Sequence, residues 1–129
     1  MSEHVLKGEL TGPINLSPGG DWRLVKSATV TSEGSHCLAN HATLTQTLDL
    51  RINGAVKSDD VGLSLWSKSA LNSDVSIAIS ASASVSAIWA VLCSRLANLD
   101  IVIKGKVSGD YYGLIFGGNQ WTGCQFRGD

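Results

Sequence analysis

The chain has 129 residues, of which 16% are charged, and its formal net charge is −1. This near-neutral balance gives no electrostatic basis for binding a nucleic-acid backbone, which proteins contact through clusters of Lys and Arg. A chain of this length buries roughly two-thirds of its unfolded surface as one domain, and abundant Ser, Thr and Gly favour strands and turns. We therefore predict a single, mainly β domain over residues 1–129.

The first third of the chain consists of short alternating runs separated by turns. Residues 5–16 are predicted to form a strand, a turn at Gly12-Pro13 and a short return strand. A Pro-Gly-Gly turn over residues 17–21 precedes a long alternating strand over residues 22–31, and a further turn follows at Gly34.

An internal repeat relates residues 48–67 to residues 99–118 without a gap, and eight of the twenty aligned positions are identical. The apolar residues of each copy alternate with polar ones, and a polar step containing Asp follows, so each copy predicts a β-hairpin. Residues 6–12 resemble residues 103–109 and could be a third, partial copy. The identical positions are Leu48/Leu99, Asp49/Asp100, Ile52/Ile103, Gly54/Gly105, Val56/Val107, Asp59/Asp110, Gly62/Gly113 and Leu63/Leu114.

Residues 75–94 carry no charge. Serines alternate with apolar residues in the first half, which is typical of a strand with one narrow face, although an amphipathic strand that inserts into a bilayer has the same pattern and a helical span has this length. The period changes after Val85, where Ile88, Leu92 and Leu96 fit one helical face. We therefore predict one short helix over residues 86–97, between the two hairpin copies.

The last residues predict a final strand that closes against the N-terminal strand. Three cysteines, Cys37, Cys93 and Cys124, cannot all pair within one chain, and no signal peptide is recognisable. A reducing compartment or an assembled particle is therefore favoured, but a removed leader would allow secretion, so the localisation is left unknown.

A family resemblance rests on three segments. AIWAVLC (residues 87–93) and IFGGNQWTGCQFRG (residues 115–128) are similar to segments of the virulence-associated protein A-like family. PINLSPGGDW (residues 13–22) resembles that family's last strand, placed at the other end as a circular permutation would leave it. The resemblance implies a glycine-rich antiparallel β-barrel of eight strands, built from two Greek-key halves with a short helix between them. It implies no catalytic residue.

One cluster of reactive side chains occurs, where His36, Cys37 and His41 lie within six residues. They could supply at most three ligands to a metal, without the paired spacing that zinc sites use. Cys37 could also be a thiol nucleophile with His41 as its base and Asn40 to orient that base. A loop with a partly buried Cys37 explains the same residues without chemistry, so we predict neither a metal site nor a cofactor.

Four tryptophans are many for this length, and three of them, Trp22, Trp66 and Trp121, are predicted near loop ends. There they could bind a glycan or a protein partner, or they could fill the core of a small barrel. The C-terminal triplet, residues 127–129, spells Arg-Gly-Asp, which is short enough to occur by chance.

No set of nucleophile, base and orienting group is evident, so an enzyme is the least supported class. We predict an antiparallel β-barrel or sandwich with one helix that acts as a non-catalytic binding or host-interaction protein. The alternatives are a structural or attachment subunit of a viral or phage particle, which would be a homo-oligomer, and a pore-forming protein.

Overall fold

The computed structural model consists of β-strands joined by turns and loops, and it has no helix in the part of the chain that it describes. That part comprises residues 3–17, 19–40, 44–66, 74–94, 98–117 and 125–128. Its strands are β1 (Glu3–Leu6), β2 (Glu9–Thr11), β3 (Ile14–Asn15), β4 (Gly20–Leu24), β5 (Thr29–Ser32), β6 (His36–Ala39), β7 (Leu48–Ile52), β8 (Ala55–Ser58), β9 (Val61–Trp66), β10 (Asp74–Ile79), β11 (Ser84–Ser94), β12 (Asn98–Ile103), β13 (Lys106–Gly117) and β14 (Gln125–Gly128).

Every described strand pair is parallel. The first sheet, sheet A, has the order β1-β4-β7-β10-β12-β14, and the second, sheet B, has the order β2-β5-β8-β11-β9-β6-β3 with β13 beside β11. Parallel neighbours need a long connection between them, and here that connection is one full coil of the chain. The fold is a parallel β-solenoid, and the predicted antiparallel barrel or sandwich with Greek-key halves is wrong.

Each coil begins in sheet A and continues in sheet B. Three coils have three strands each (β1–β3, β4–β6 and β7–β9), whereas in the next two coils β11 and β13 run through the corner that separates the second and third strands. At one level of sheet A, the residues that lie side by side are His4, Trp22, Leu50, Ile77 and Ile101. The first coil therefore takes 18 residues, and the next three take 28, 27 and 24. β14 adds a further strand to sheet A beyond β12.

The core lies inside the coils, where apolar side chains of successive strands stack in rows. One row in sheet A joins Leu24, Ile52 and Ile79, each of which is fully or almost fully buried. Each Å² of apolar surface that these stacked side chains bury contributes about 25 cal/mol to stability. Each coil depends on its neighbouring coils for that burial. The largest fully buried side chains are Leu16, Leu24, Leu38, Leu44, Leu48, Leu50, Ile52, Leu63, Leu65, Ile77 and Ile79.

The repeated stretches, residues 48–67 and 99–118, begin in equivalent positions two coils apart. Ile52 and Ile103 both pair with Ile79, which lies between them in sheet A. The similarity is therefore a repeat of the coil. The predicted hairpins are wrong, because the corner after each first strand sends the chain into sheet B and does not fold it back on its predecessor.

The predicted helix over residues 86–97 is also wrong, because β11 continues as a strand from Ser84 to Ser94; residues 95–97 lie outside the described residues. The register of β11 against β13 shifts between Ala87 and Trp89. Such a shift interrupts the two-residue alternation, and the interrupted spacing of apolar residues imitates a helical face. Within the described residues, no helix is long and apolar enough to cross a membrane.

The two ends of sheet A are formed by β1 and β14. β14 pairs with β12, and β1 pairs with β4, so these strands lie at opposite edges of the sheet. The predicted closure of the last strand against the first is therefore wrong, because a solenoid extends along its axis where a barrel closes on itself.

Candidate binding surface

The residues considered as candidate metal ligands or as a nucleophile do not form a site within the described residues. Cys37 is fully buried, and its thiol donates to the carbonyl oxygen of Lys57 at 3.1 Å. His36 is half-buried, and His41 lies outside the described residues. Within the described residues, no three His, Cys, Asp or Glu side chains are close enough together to hold a metal ion.

The Cys37 thiol is expected to be unreactive in the folded protein. Burial raises its pKa from the ordinary value of 9.0 to about 11, although a backbone hydrogen bond with Lys57 acts in the opposite direction. The thiolate is the reactive form, so iodoacetamide at pH 8.5 should leave Cys37 unlabelled until urea unfolds the chain, as peptide mass spectrometry would show. The pKa of Cys37 is about 9 in the unfolded chain and about 11 in the folded protein, so the unfolded chain loses the thiol proton at a lower pH. The contribution of Cys37 to the free energy of unfolding therefore decreases as the pH rises from about 9 to about 11. Labelling of Cys37 at the same rate with and without urea would contradict its burial.

The tryptophans predicted as binding residues have different surroundings. Trp22 is buried, stacks on His4 with ring centroids 4.0 Å apart, and donates its indole N–H to the Gly19 carbonyl at 3.1 Å. Trp66 is half-buried at the end of β9, and Trp121 lies outside the described residues. In the C-terminal triplet, Arg127 and Gly128 belong to β14, and the last residue is not described.

Asn40 holds the main chain of Trp66. Its amide donates to the Trp66 carbonyl oxygen at 2.6 Å, and its side-chain oxygen accepts from the Trp66 N–H at 2.9 Å. Asn40 directly follows β6, whose last ladder partner in β9 is Ser64. The buried amide thus continues the ladder by one further pair after the main chain of β6 has ended.

Replacing Asn40 with Ala is expected to destabilise the fold by about 2 kcal/mol, because two main-chain groups of Trp66 lose their partners. Asn40→Asp should destabilise it at least as much, since a carboxylate cannot donate to the Trp66 carbonyl. Urea unfolding followed by circular dichroism measures both. Wild-type stability in both variants would show that the ladder ends at Ala39.

An aromatic cluster that the sequence did not predict lies on β11 and β13. The Trp89 ring meets Tyr111 edge-on with centroids 6.2 Å apart, and it packs against Tyr112 at 5.3 Å with a 36° tilt. Tyr111 is 71% exposed and Tyr112 is 54% exposed. Aromatic pairs in such geometries hold each other in place, so the cluster presents two ordered tyrosines to solvent.

A β-bulge brings both tyrosines to Trp89. Ala87 pairs with Gly109 before the bulge, and Trp89 pairs with Tyr112 after it. From the first pair to the second, β11 advances by two residues and β13 by three, so β13 has one extra residue. Neighbouring residues of a regular strand point to opposite faces, and the extra residue removes that constraint. A Cβ atom at Gly109 would lie 1.8 Å from the Tyr112 carbonyl oxygen, so this bulge requires glycine.

The cluster lies at an incomplete end of sheet B. Among the described residues, β13 pairs along one side only, with β11, while β14 already extends sheet A by one more strand. Leu114 continues the row of Leu38, Leu63 and Val91, which are at most 2% exposed, yet Leu114 is 37% exposed. We call Trp89, Tyr111, Tyr112 and Leu114, with the free side of β13, the aromatic edge.

Comparison with known proteins does not identify a relative. No family model matches the chain, and neither a curated protein nor a solved structure is significantly similar to it. The resemblance to the virulence-associated protein A-like family stays a prediction, and the Greek-key barrel that it implies is not the fold found. The geometry of the solenoid and of its aromatic edge is therefore the basis for a functional proposal.

Two consecutive tyrosines after a Gly-Asp step were the available signal for the aromatic edge. Because glycine and aspartate are typical of turns, residues 108–110 predict a hairpin turn, and the two tyrosines after them do not indicate an aromatic cluster. The sequence does not indicate that Leu114 is exposed, because this exposure depends on the position of β13 at the end of sheet B.

Proposed function

We propose that this chain is a non-catalytic protein-binding module that docks a segment of another polypeptide on its aromatic edge. The observation that carries the proposal is the exposure of Leu114 at the end of a core row, beside two exposed tyrosines. Exposed apolar groups of this kind mark interaction sites, and tyrosine is enriched where proteins bind each other.

The free side of β13 supports a protein ligand over a glycan. An unpaired strand edge offers a row of N–H and C=O groups that another strand can satisfy. A sugar could stack on Tyr111 or Tyr112 but would leave most of these groups unmatched. The proposal thus keeps the predicted binding function and narrows the predicted protein or glycan partner to a protein. The predictions of a particle subunit and of a pore-forming protein receive no specific support from this surface.

Selection from a displayed library of random 12-residue peptides, with a glycan array in parallel, tests the proposal. We expect enriched peptides that bind the wild-type protein and lose binding to the Tyr111→Ser/Tyr112→Ser double variant. Lys57→Ser is the control, because Lys57 is exposed on β8, which β11 separates from β13. Peptides that bind the double variant equally well, or binding to glycans alone, would contradict the proposal.

A further inference from the structure

We infer that the segment recognised at the aromatic edge is a lone β-strand that adds parallel to β13, with an acidic residue opposite Lys106 and an aliphatic residue opposite Leu114. This inference rests on the proposed function and specifies the partner of the same surface.

The position of β14 leaves room for one strand. β14 lies beside β12 in sheet A, at the level that a strand added to β13 would occupy in sheet B. A second copy of the solenoid stacked in register would place its β1 where β14 already lies. Among the residues that the structure describes, none occupies the position beside β13, so a single strand fits there.

The rows define the side chains that the added strand needs. Val107 ends the row of Leu10, Val30, Val56 and Val85, and seven residues later Leu114 ends the row of Leu38, Leu63 and Val91. A parallel strand that has aliphatic residues at the same separation and follows the bulge of β13 continues both rows and removes Leu114 from solvent. An antiparallel strand would meet the two rows in the reverse order.

The edge of β13 favours an acidic residue at the first position of the added strand. Lys106 opens β13 and is exposed, and Lys104 is exposed just before it. The row of paired positions that ends at Lys106 begins at Glu9 of β2, which is also exposed. A carboxylate opposite Lys106 makes a favourable cross-strand pair, whereas a Lys there would be repelled.

The chain itself supplies a suitable probe. Residues 55–66 align with residues 106–117 without a gap and carry aliphatic residues at the positions of Val107 and Leu114. We would use a fluorescein-labelled synthetic peptide of residues 55–66 with Glu in place of Ala at its first position. Two control peptides carry Lys at that first position or Asp in place of the Leu opposite Leu114.

Fluorescence anisotropy with the full chain tests the recognition pattern. The Glu peptide should bind, the Asp control should show no saturable binding, and the Lys control should bind about threefold more weakly. With Lys106→Glu protein the preference between the Glu and Lys peptides should reverse. Equal affinity of the Glu and Lys peptides for both proteins would overturn the assigned charge contact.

The direction of the added strand is tested by NMR with a nitroxide at the peptide's N-terminus. A parallel strand should broaden the amide signals of Lys106, Val107 and Ser108 and spare those of Leu114 and Ile115. The opposite pattern would overturn the parallel arrangement. If library peptides bind the aromatic edge but this peptide does not, the inference fails and the proposed function stands; if neither binds, both fail.

Discussion

Replacing Gly54 with Ala is expected to destabilise the protein by about 3 kcal/mol, because the corner between β7 and β8 has no room for a methyl group. A Cβ atom there would lie 2.3 Å from the Ala28 carbonyl oxygen and 2.5 Å from that of Val25. The Ala28 oxygen also accepts a hydrogen bond from the Ala55 N–H at 3.0 Å, so moving it away disturbs the contact between two coils. Chemical denaturation would measure the loss.

Gly113→Ala is the matched control for this substitution. A Cβ atom at Gly113 would meet only the Val107 side chain, at 4.0 Å, so the change in stability should stay within about 0.5 kcal/mol. Gly105 repeats the corner of Gly54 two coils later, with the Ser80 carbonyl oxygen 2.2 Å from a Cβ atom, and Gly105→Ala should therefore resemble Gly54→Ala. A Gly54→Ala protein as stable as Gly113→Ala would contradict the close stacking of the corners.

Replacing Ile77 with Asp is expected to abolish folding. Ile77 is 1% exposed and lies between Leu50 and Ile101 in the middle of sheet A. An unpaired carboxylate at this position costs about 5 kcal/mol, which is comparable to the whole stability of a typical domain. Circular dichroism and one-dimensional NMR should show an unfolded chain.

The neighbouring substitution Ala78→Asp is the control, since Ala78 faces away from the core beside Arg51. Arg51 already contacts Glu3 at 3.3 Å on this outer face. A second carboxylate there has a cationic neighbour and remains in contact with water, so the stability should change by no more than about 0.5 kcal/mol. Equal damage from both substitutions would mean that the two faces of β10 are wrongly assigned.

The sequence was sufficient to predict which face of β7 is buried and which positions repeat. Alternation identified Leu48, Leu50 and Ile52 as one face of a strand, and all three are buried. The ungapped alignment of Gly54 with Gly105 identified equivalent corners, because both have the same close contacts with carbonyl oxygens of the preceding coil. These features can be predicted because the alternation of apolar and polar side chains and the positions of glycines are properties of the local sequence.

The direction of strand pairing could not be predicted in the same way. A strand, a glycine-containing corner and a second strand describe a hairpin as well as a solenoid coil, and the difference lies in partners such as Val75 that are 24 to 27 residues distant. Alternation is the same in parallel and antiparallel sheets. Likewise, Trp89 and Tyr112 become neighbours only because β11 and β13 lie side by side, so the aromatic edge follows from a topology that the sequence did not reveal.

Inter-strand nuclear Overhauser effects in solution would distinguish a parallel β-solenoid from an antiparallel fold. Short amide-to-Hα distances should connect Leu50 with Ile77 and Ile77 with Ile101. Strong Hα–Hα contacts in reversed order between residues 48–52 and 61–66, the signature of an antiparallel pair, would contradict the solenoid.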